Sequence, residues 1–461
     1  MTEQLKLKLN DSKATRWGAL VIVAFTMMAA YYVNDVVAPL KTMLETDLAW
    51  SSTDFGFFTG GYSFLNVFFL MLIWGGLILD RFGIRFTGKL ATILMVGGTA
   101  LEYYAMTGLA GADATLFGIN EIFGYKTGVF VAFAGYSIFG VGAEVAGITV
   151  SKIIAKWFKG KELATAMGVQ VALARIGSQA GYAVAIPLAR AFGISTPVLL
   201  GLVLLLGGMI AFFIFAVMDK KLDKQMEAAA IAAGTEDEEE KFSFKDVKNI
   251  LVNPGFWLIA LLCVLFYSCV FPFQKFASEL MISKYGIDES VAGFFAGLPA
   301  LGALFLTPVF GGMVDKRGKA ASIMMLGAAM LIAVHCIYAL PFITSSWIAI
   351  VLMIALGIAF SLVPSAMWPS VAKIFPAHQL GTAYALIFFI QNIGLWGIPT
   401  LIGVVLDKYC VVGKANGANL YDYTLPMCIF TGIAVLSLII AFALKVADKK
   451  FGYKLEEANI K

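Results

Sequence analysis

The sequence predicts an all-α membrane protein with twelve transmembrane helices in two pseudo-symmetric six-helix bundles. Three observations carry that expectation: an apolar composition, twelve runs long enough to cross a bilayer, and a repeat relating the first six runs to the last six. Of 461 residues, 60% are hydrophobic and only 14% charged, and the mean hydropathy is +0.85. Soluble domains lie far from these values. The net charge of +4 is small and is distributed by topology, so no nucleic-acid partner is expected. The five cysteines form no CxxC pair, so neither a disulfide framework nor a metal site is indicated, and no cofactor is expected.

Apolar runs of crossing length fall at about 17 to 40, 53 to 79, 86 to 108, 128 to 150, 162 to 188 and 196 to 218. A second six follow at about 255 to 278, 289 to 314, 320 to 342, 345 to 370, 380 to 406 and 423 to 446. The first run has no small-residue cleavage site and is followed at once by another, which reads as an uncleaved first helix. The expected division is an N-terminal bundle over 1–218, a cytoplasmic linker over 219–250 and a C-terminal bundle over 251–461. The linker holds Lys220, Lys221 and Lys224, then the acidic run 236–240, the composition of a solvated connector.

Orientation follows from Lys and Arg. Both termini and the even-numbered junctions hold 26 of them, the odd-numbered junctions seven, and Arg175 lies inside a span. Cytoplasmic loops carry such an excess, so both termini are expected in the cytoplasm.

The halves resemble one another. GLILDRFGIR, with Gly76, Asp80, Arg81, Gly83 and Arg85, returns as GGMVDKRGK, with Gly311, Asp315, Lys316 and Gly318, each between the second and third span of its half. AKWFKGKELATAMGVQVALARIG matches AKIFPAHQLGTAYALIFFIQNIG, which aligns Arg175 with Asn392. One half thus carries a cation where the other carries a neutral amide.

At these loops the chain resembles the major facilitator superfamily, whose most specific signature is G-x-x-x-D-R-x-G-x-R after the second helix. The resemblance covers the whole chain and implies the major facilitator fold, two bundles rocking around a central site. Asp80, Arg81, Arg85, Asp315 and Lys316 are the expected gating residues. Asp80 can pair with Arg85 and cap a helix of the other bundle, or these charges can simply mark the membrane surface.

Arg175 lies thirteen residues past Glu162, roughly 20 Å along a helix. A charge near the bilayer centre costs on the order of 3 kcal/mol, so it normally faces a cavity, a partner or a substrate. Helical stepping from Arg175 adds Ser178, Gln179 and Tyr182, and stepping back from Glu144 in the fourth span adds Tyr136 and Gly140. Arg175 and Glu144 either bind each other or receive a zwitterion. Further polar and aromatic candidates for the same site are Asn34, Asp35, Tyr267, Trp368, Gln391, Asn392 and Trp396. Asp35 and Glu102 read equally well as water-exposed ends of spans, and Lys275 as a snorkelling residue at the outer end of the seventh span.

GVGAE (140–144), WFKGKELATAMGVQVALARIGS (157–178), FYSCVFPF (266–273), MWPSVA (367–372) and FPAHQLGTAYALIFFIQNIG (375–394) carry a closer resemblance, to the lysosomal dipeptide uniporter branch of the superfamily. That resemblance implies that Arg175 holds a peptide carboxylate and Glu144 a peptide ammonium. The expected activity is transport of small peptides, most simply dipeptides, by alternating access. The expected partners are a dipeptide, the lipid bilayer and protons as a candidate co-substrate, with the chain a monomer. The outer loops lack a glycosylation sequon and the N-terminal tail lacks an acidic dileucine, so a prokaryotic relative in a bacterial inner membrane is expected. The alternatives are a proton-coupled symporter of an organic anion such as a sugar acid, and a non-transporting membrane sensor. An enzyme is not expected, because the sequence offers no Ser/His/Asp, metal-ligand or phosphate-cradling constellation.

Overall fold

The computed structural model describes residues 8–111, 114–158, 161–233, 244–376, 379–415 and 417–458. The first half contains α1 (Lys13–Val36), α2 (Lys41–Leu48), α3 (Ser52–Phe68), α4 (Met71–Thr107), α5 (Thr127–Trp157), α6 (Leu163–Phe192) and α7 (Thr196–Ala233). After α8 (Phe244–Val252), the second half contains α9 (Pro254–Tyr285), α10 (Glu289–Ala296), α11 (Leu298–Arg317), α12 (Ala320–Ala339), α13 (Ser346–Ile374), α14 (Leu380–Tyr409) and α15 (Thr424–Phe451). Two small antiparallel hairpins, β1 (Glu121–Ile122) with β2 (Tyr125–Lys126) and β3 (Val411–Ala415) with β4 (Ala418–Tyr421), link helices on the face opposite the termini.

The protein is an integral, multi-pass membrane protein. Among the described residues nine helices are long and apolar enough to cross a membrane, or ten if the bent pair α3 and α4 is one span. That pair holds two passages, because α4 leaves helical geometry at Gly83 (φ 76°, ψ 174°), which separates 71–82 from 84–107. The polar α6 carries Arg175 and Arg190 yet is 30 residues long, which completes twelve passages. The second span is broken where an unbroken run was expected. Leu70 takes a left-handed conformation (φ 53°) and the axes turn by 58°. Nothing in the apolar stretch FFLML signals this, since neither glycine nor proline stands there.

Helix ends obey local chemistry. Ser51 and Asp54 form a capping box at the start of α3, and Asn253 caps α9 ahead of Pro254. α7 continues to Ala233, past the expected start of the linker, while the acidic run 236–240 lies outside the described residues.

Close packing within the first half is set by small residues. A Cβ on Gly98 would stand 2.4 Å from both the Gly135 carbonyl oxygen and the Phe139 nitrogen, so α4 and α5 meet backbone to backbone. Gly97, one residue earlier, has no neighbouring atom within 4 Å. Gly98→Ala should therefore lower the thermal unfolding temperature in detergent, with a cost of about 1–3 kcal/mol. Gly97→Ala should leave it unchanged or slightly raised.

Candidate functional site

Between the halves lies a cavity of about 1850 Å³. Asp80, Ser151, Lys152 and Gly381 line its mouth, so it opens on the face that carries both termini. Deeper, α5 contributes Tyr136 and Glu144, α6 contributes Arg175, and α1 contributes Tyr31 and Asn34. The second half supplies Tyr267, Trp368, Tyr384, Phe388 and Gln391. Charge thus comes mostly from the first half and aromatic surface mostly from the second.

Arg175 and Glu144 line the same cavity but do not pair. Among the described residues no carboxylate lies within ion-pair distance of Arg175. Its guanidinium carbon sits 5.6 Å from the Tyr31 ring centre and 5.0 Å from that of Phe360. Such stacking orients the planar group while leaving its N–H edge free for a carboxylate. Glu144 accepts a hydrogen bond from the Tyr62 hydroxyl at 3.0 Å. Tyr31 lies within electrostatic reach of Arg175, Glu144 and Asp35, which ties the three charges to one region. On the opposite wall the Trp368 indole donates to the Tyr267 hydroxyl at 3.2 Å, and the Tyr384 hydroxyl donates to the Trp368 carbonyl at 3.1 Å.

Of the candidate residues read from sequence, Arg175, Glu144, Tyr136, Asn34, Tyr267, Trp368 and Gln391 line the cavity. Asp35, Gln179, Tyr182, Asn392 and Trp396 do not. Gln179 donates to the Phe294 carbonyl across the halves, and Tyr182 packs backbone-close against Gly293 of α10. Asn392 is buried and donates to the Phe388 carbonyl of its own helix. The Trp396 ring meets Phe68 edge-on at 4.8 Å. Tyr62 and Phe360 are additions; a stripe of Thr59, Tyr62, Ser63 and Asn66 at helical spacing was the available signal for Tyr62.

The far face is shut by contacts between halves. Lys41 Nζ meets Glu279 Oε2 at 2.7 Å with both side chains almost fully buried, and the Tyr423 hydroxyl also donates to Glu279. Lys275 Nζ donates to Asp35 Oδ1 at 3.1 Å and to the Asn34 carbonyl at 2.6 Å. Lys275 therefore does not snorkel. It lines the closed end of the cavity, because the inward-facing carboxylate of Asp35 satisfies it where outward water was expected to. Asp35 and Glu102, at 6% and 0% exposure, are likewise buried rather than wet.

At the termini face the expected pair of Asp80 with Arg85 is absent. Asp80 accepts from Lys152 at 3.0 Å, and Arg85 reaches Asp223 at 2.8 Å. The break at Gly83 puts Asp80 and Arg85 on different helical arms, and with the cavity open on this side both find partners in their own half. Arg81 is exposed over the Phe82 ring, Asp315 lies within electrostatic reach of Lys373, and Lys316 is exposed.

Two helical halves enclosing a cavity that holds Arg175 and Glu144 and opens on one face define a membrane carrier. The chain belongs to the Major Facilitator Superfamily, whose family model matches residues 20–399 and 281–455. It is a transporter rather than an enzyme. It is 30% identical to the lysosomal dipeptide transporter MFSD1 of Homo sapiens over 409 residues, covering 86% of this chain and 81% of that one. It is 21% identical to the hexuronate transporter of Bacillus subtilis over 435 residues, covering 91% and 94%. Among solved structures, the nucleoside transporter NupG superposes with a TM-score of 0.69 at 14% identity, covering 92% of this chain and 98% of that one. The inward-open xylose transporter XylE of E. coli gives 0.65 at 15%, covering 93% and 96%.

An open mouth on one face has a direct readout. With the native cysteines replaced, a cysteine at Thr382 on the cavity wall should react with a membrane-impermeant maleimide from the termini face. Equal reaction from the far face would contradict the seal.

Proposed function

We propose that the chain carries dipeptides by alternating access, with Arg175 holding the peptide carboxylate and Glu144 the ammonium. The observation that carries this reading is a guanidinium with no ionic partner among the described residues, facing the same cavity as a separately held carboxylate. A buried ion pair between them would have left nothing for a zwitterion, whereas two separated charges suit its two ends. Guanidinium matches carboxylate with two parallel hydrogen bonds, and the aromatic wall opposite accepts varied side chains without reading them closely. Similarity to dipeptide transporters over most of the chain supports the same substrate class. The sugar-acid alternative also uses Arg175, with Glu144 or Asp35 carrying a proton, but the chain is less similar to the hexuronate transporter, at 21% identity, than to the dipeptide transporter, at 30%, so we do not favour it.

The excess of Lys and Arg on the termini face supports a cytoplasmic location for both termini and makes this state inward-open. A bacterial inner membrane is the proposed home, and a monomer the proposed unit.

Arg175→Ala should abolish the thermal stabilisation that dipeptides confer. Loss of a charge-assisted pair worth about 1.5–3 kcal/mol weakens binding roughly ten- to hundredfold. A screen of dipeptides against monocarboxylates tests the class, and unaltered stabilisation of the Arg175→Ala variant by dipeptides would remove the clamp. The far-face pair gives a second test. Glu279→Gln removes the anion that Lys41 holds across the halves, so far-face labelling of cavity cysteines should rise, and the double exchange Lys41→Glu with Glu279→Lys should restore the seal. Labelling that stays unchanged in Glu279→Gln would show that the pair does not hold that face shut.

A further inference from the structure

Deep in the cavity, the wall supplied by the second half has hydrogen-bond donors left over. The Trp368 indole N–H is taken by the Tyr267 hydroxyl, and the Tyr384 hydroxyl proton by the Trp368 carbonyl. Gln391 of α14 lines the same wall, and its side-chain oxygen is already occupied. The Cys263 thiol of α9, fully buried behind it, donates to Gln391 Oε1 at 3.3 Å. A carboxamide has one acceptor oxygen and an NH2 with two donors, so fixing the oxygen toward the thiol aims the NH2 away from α9 and at the cavity. That NH2 has no acceptor among the described residues. Close packing holds the arrangement in register. A Cβ on Gly394, one turn after Gln391, would fall 2.1 Å from Ser268 Oγ and 2.8 Å from the Val264 side chain, so α14 seats tightly on α9 beside Cys263.

The peptide clamp leaves this donor a specific task. Arg175 of the first half stands 5.0 Å from the Phe360 ring of the second, and that ring meets Tyr267 edge-on at 6.1 Å. Cys263 lies four residues before Tyr267 on α9, about 6 Å along the helix, so a dipeptide held at Arg175 lies against the wall that presents Gln391. Its carboxylate goes to Arg175 and its ammonium to Glu144. The acceptor that remains is the peptide-bond carbonyl.

We propose that Gln391 donates to that carbonyl and so makes the carrier select the peptide bond over other zwitterions, with Cys263 as the positioning residue that keeps the NH2 turned to the cargo. The inference rests on the dipeptide-carrier reading and deepens it: the first half recognises the two ends of the cargo and the second half its middle. An occupant without the carbonyl leaves a buried donor unpaired, which discriminates more strongly than the mere absence of an attraction.

The ligand-induced rise in unfolding temperature of the full chain in detergent, followed over a concentration series, reads apparent affinity. Glycyl-glycine and δ-aminolevulinate, which has the same skeleton with CH2 in place of the amide N–H, should bind within about threefold of each other. δ-Aminovalerate, which lacks the carbonyl as well, should bind about tenfold more weakly. Gln391→Leu should weaken the first two and narrow that gap to about threefold or less. Cys263→Ala should narrow it in part, and Cys263→Ser, which restores a donor to the amide oxygen, should recover it. Equal weakening of all three ligands in Cys263→Ala overturns the positioning role. A tenfold gap that survives in Gln391→Leu, or equal binding of the three ligands by the unaltered chain, overturns the inference and leaves the dipeptide carrier standing. Absence of binding of any dipeptide overturns the carrier reading, and this inference with it. Where Gln391→Leu fails to fold, the ligand series on the unaltered chain and the Cys263 variants still decide.

Discussion

Everything in this molecule depends on how a charge is accommodated away from water. Removing an ion from solvent costs several kcal/mol, and a partner repays that only with good geometry and further hydrogen bonds. The chain uses three arrangements. At the termini face Arg85, Lys156, Asp219 and Asp223 form a cluster within one half. At the far face Lys41 with Glu279 and Lys275 with Asp35 pair across the halves. In the cavity Arg175 and Glu144 are held by rings and a hydroxyl and have no ionic partner among the described residues. The first arrangement persists in any relative position of the halves, the second only in one, and the third leaves both charges facing the cavity. Buried pairs are weak sources of net stability, so those across the halves matter chiefly as terms that differ between states.

Along α3 and α14 the halves meet backbone to backbone, beside the edge-on ring pairs of Phe68 with Trp396 and Phe55 with Phe276. A Cβ on Gly56 would fall 2.4 Å from the Pro399 carbonyl oxygen, and one on Gly403 would fall 2.2 Å from that of Ser52. Such contacts let α3 and α14 approach closely and separate without unthreading a packed core, whereas apolar burial within each half keeps that half rigid. The same asymmetry appears in the repeat. Arg175 projects into the cavity, while its counterpart Asn392 turns back on its own helix, so duplication supplied the frame and divergence supplied the charge.

Much of this was legible in the sequence, because it depends on quantities that spacing fixes. Depth along a helix follows from residue count, and depth singled out Arg175 and Glu144. Duplication followed from the two loop signatures. Direction across the bundle did not follow. The long, flexible stem of Lys275 reaches either the outer interface or the bundle interior, and only the position of Asp35 on another helix decides between them. Asp80 near Arg85 in sequence suggested a pair, but the turn at Gly83 separates their helical arms and Lys152 stands closer. The break at Leu70 left no trace in composition. Partner choice between halves depends on which face is open, and a sequence common to every state cannot encode a single answer.

The division of labour between the walls constrains how a bound zwitterion would travel. Arg175 and Glu144 sit on α6 and α5 of one half, so the proposed grips on carboxylate and ammonium keep their mutual spacing while the halves rock. Trp368, Tyr267 and Tyr384 sit on the other half and slide past the cargo, contributing apolar contact that tolerates displacement better than directional hydrogen bonds do. Lys275 is the cation that the moving half adds to the cavity wall, and in this state Asp35 and Asn34 hold it away from the Arg175 site. A peptide carboxylate entering from the termini face therefore finds one unclaimed guanidinium. Opening of the far face frees a second cation at the other end of the cavity, which makes the electrostatic field along the path depend on conformation and not on the cargo alone.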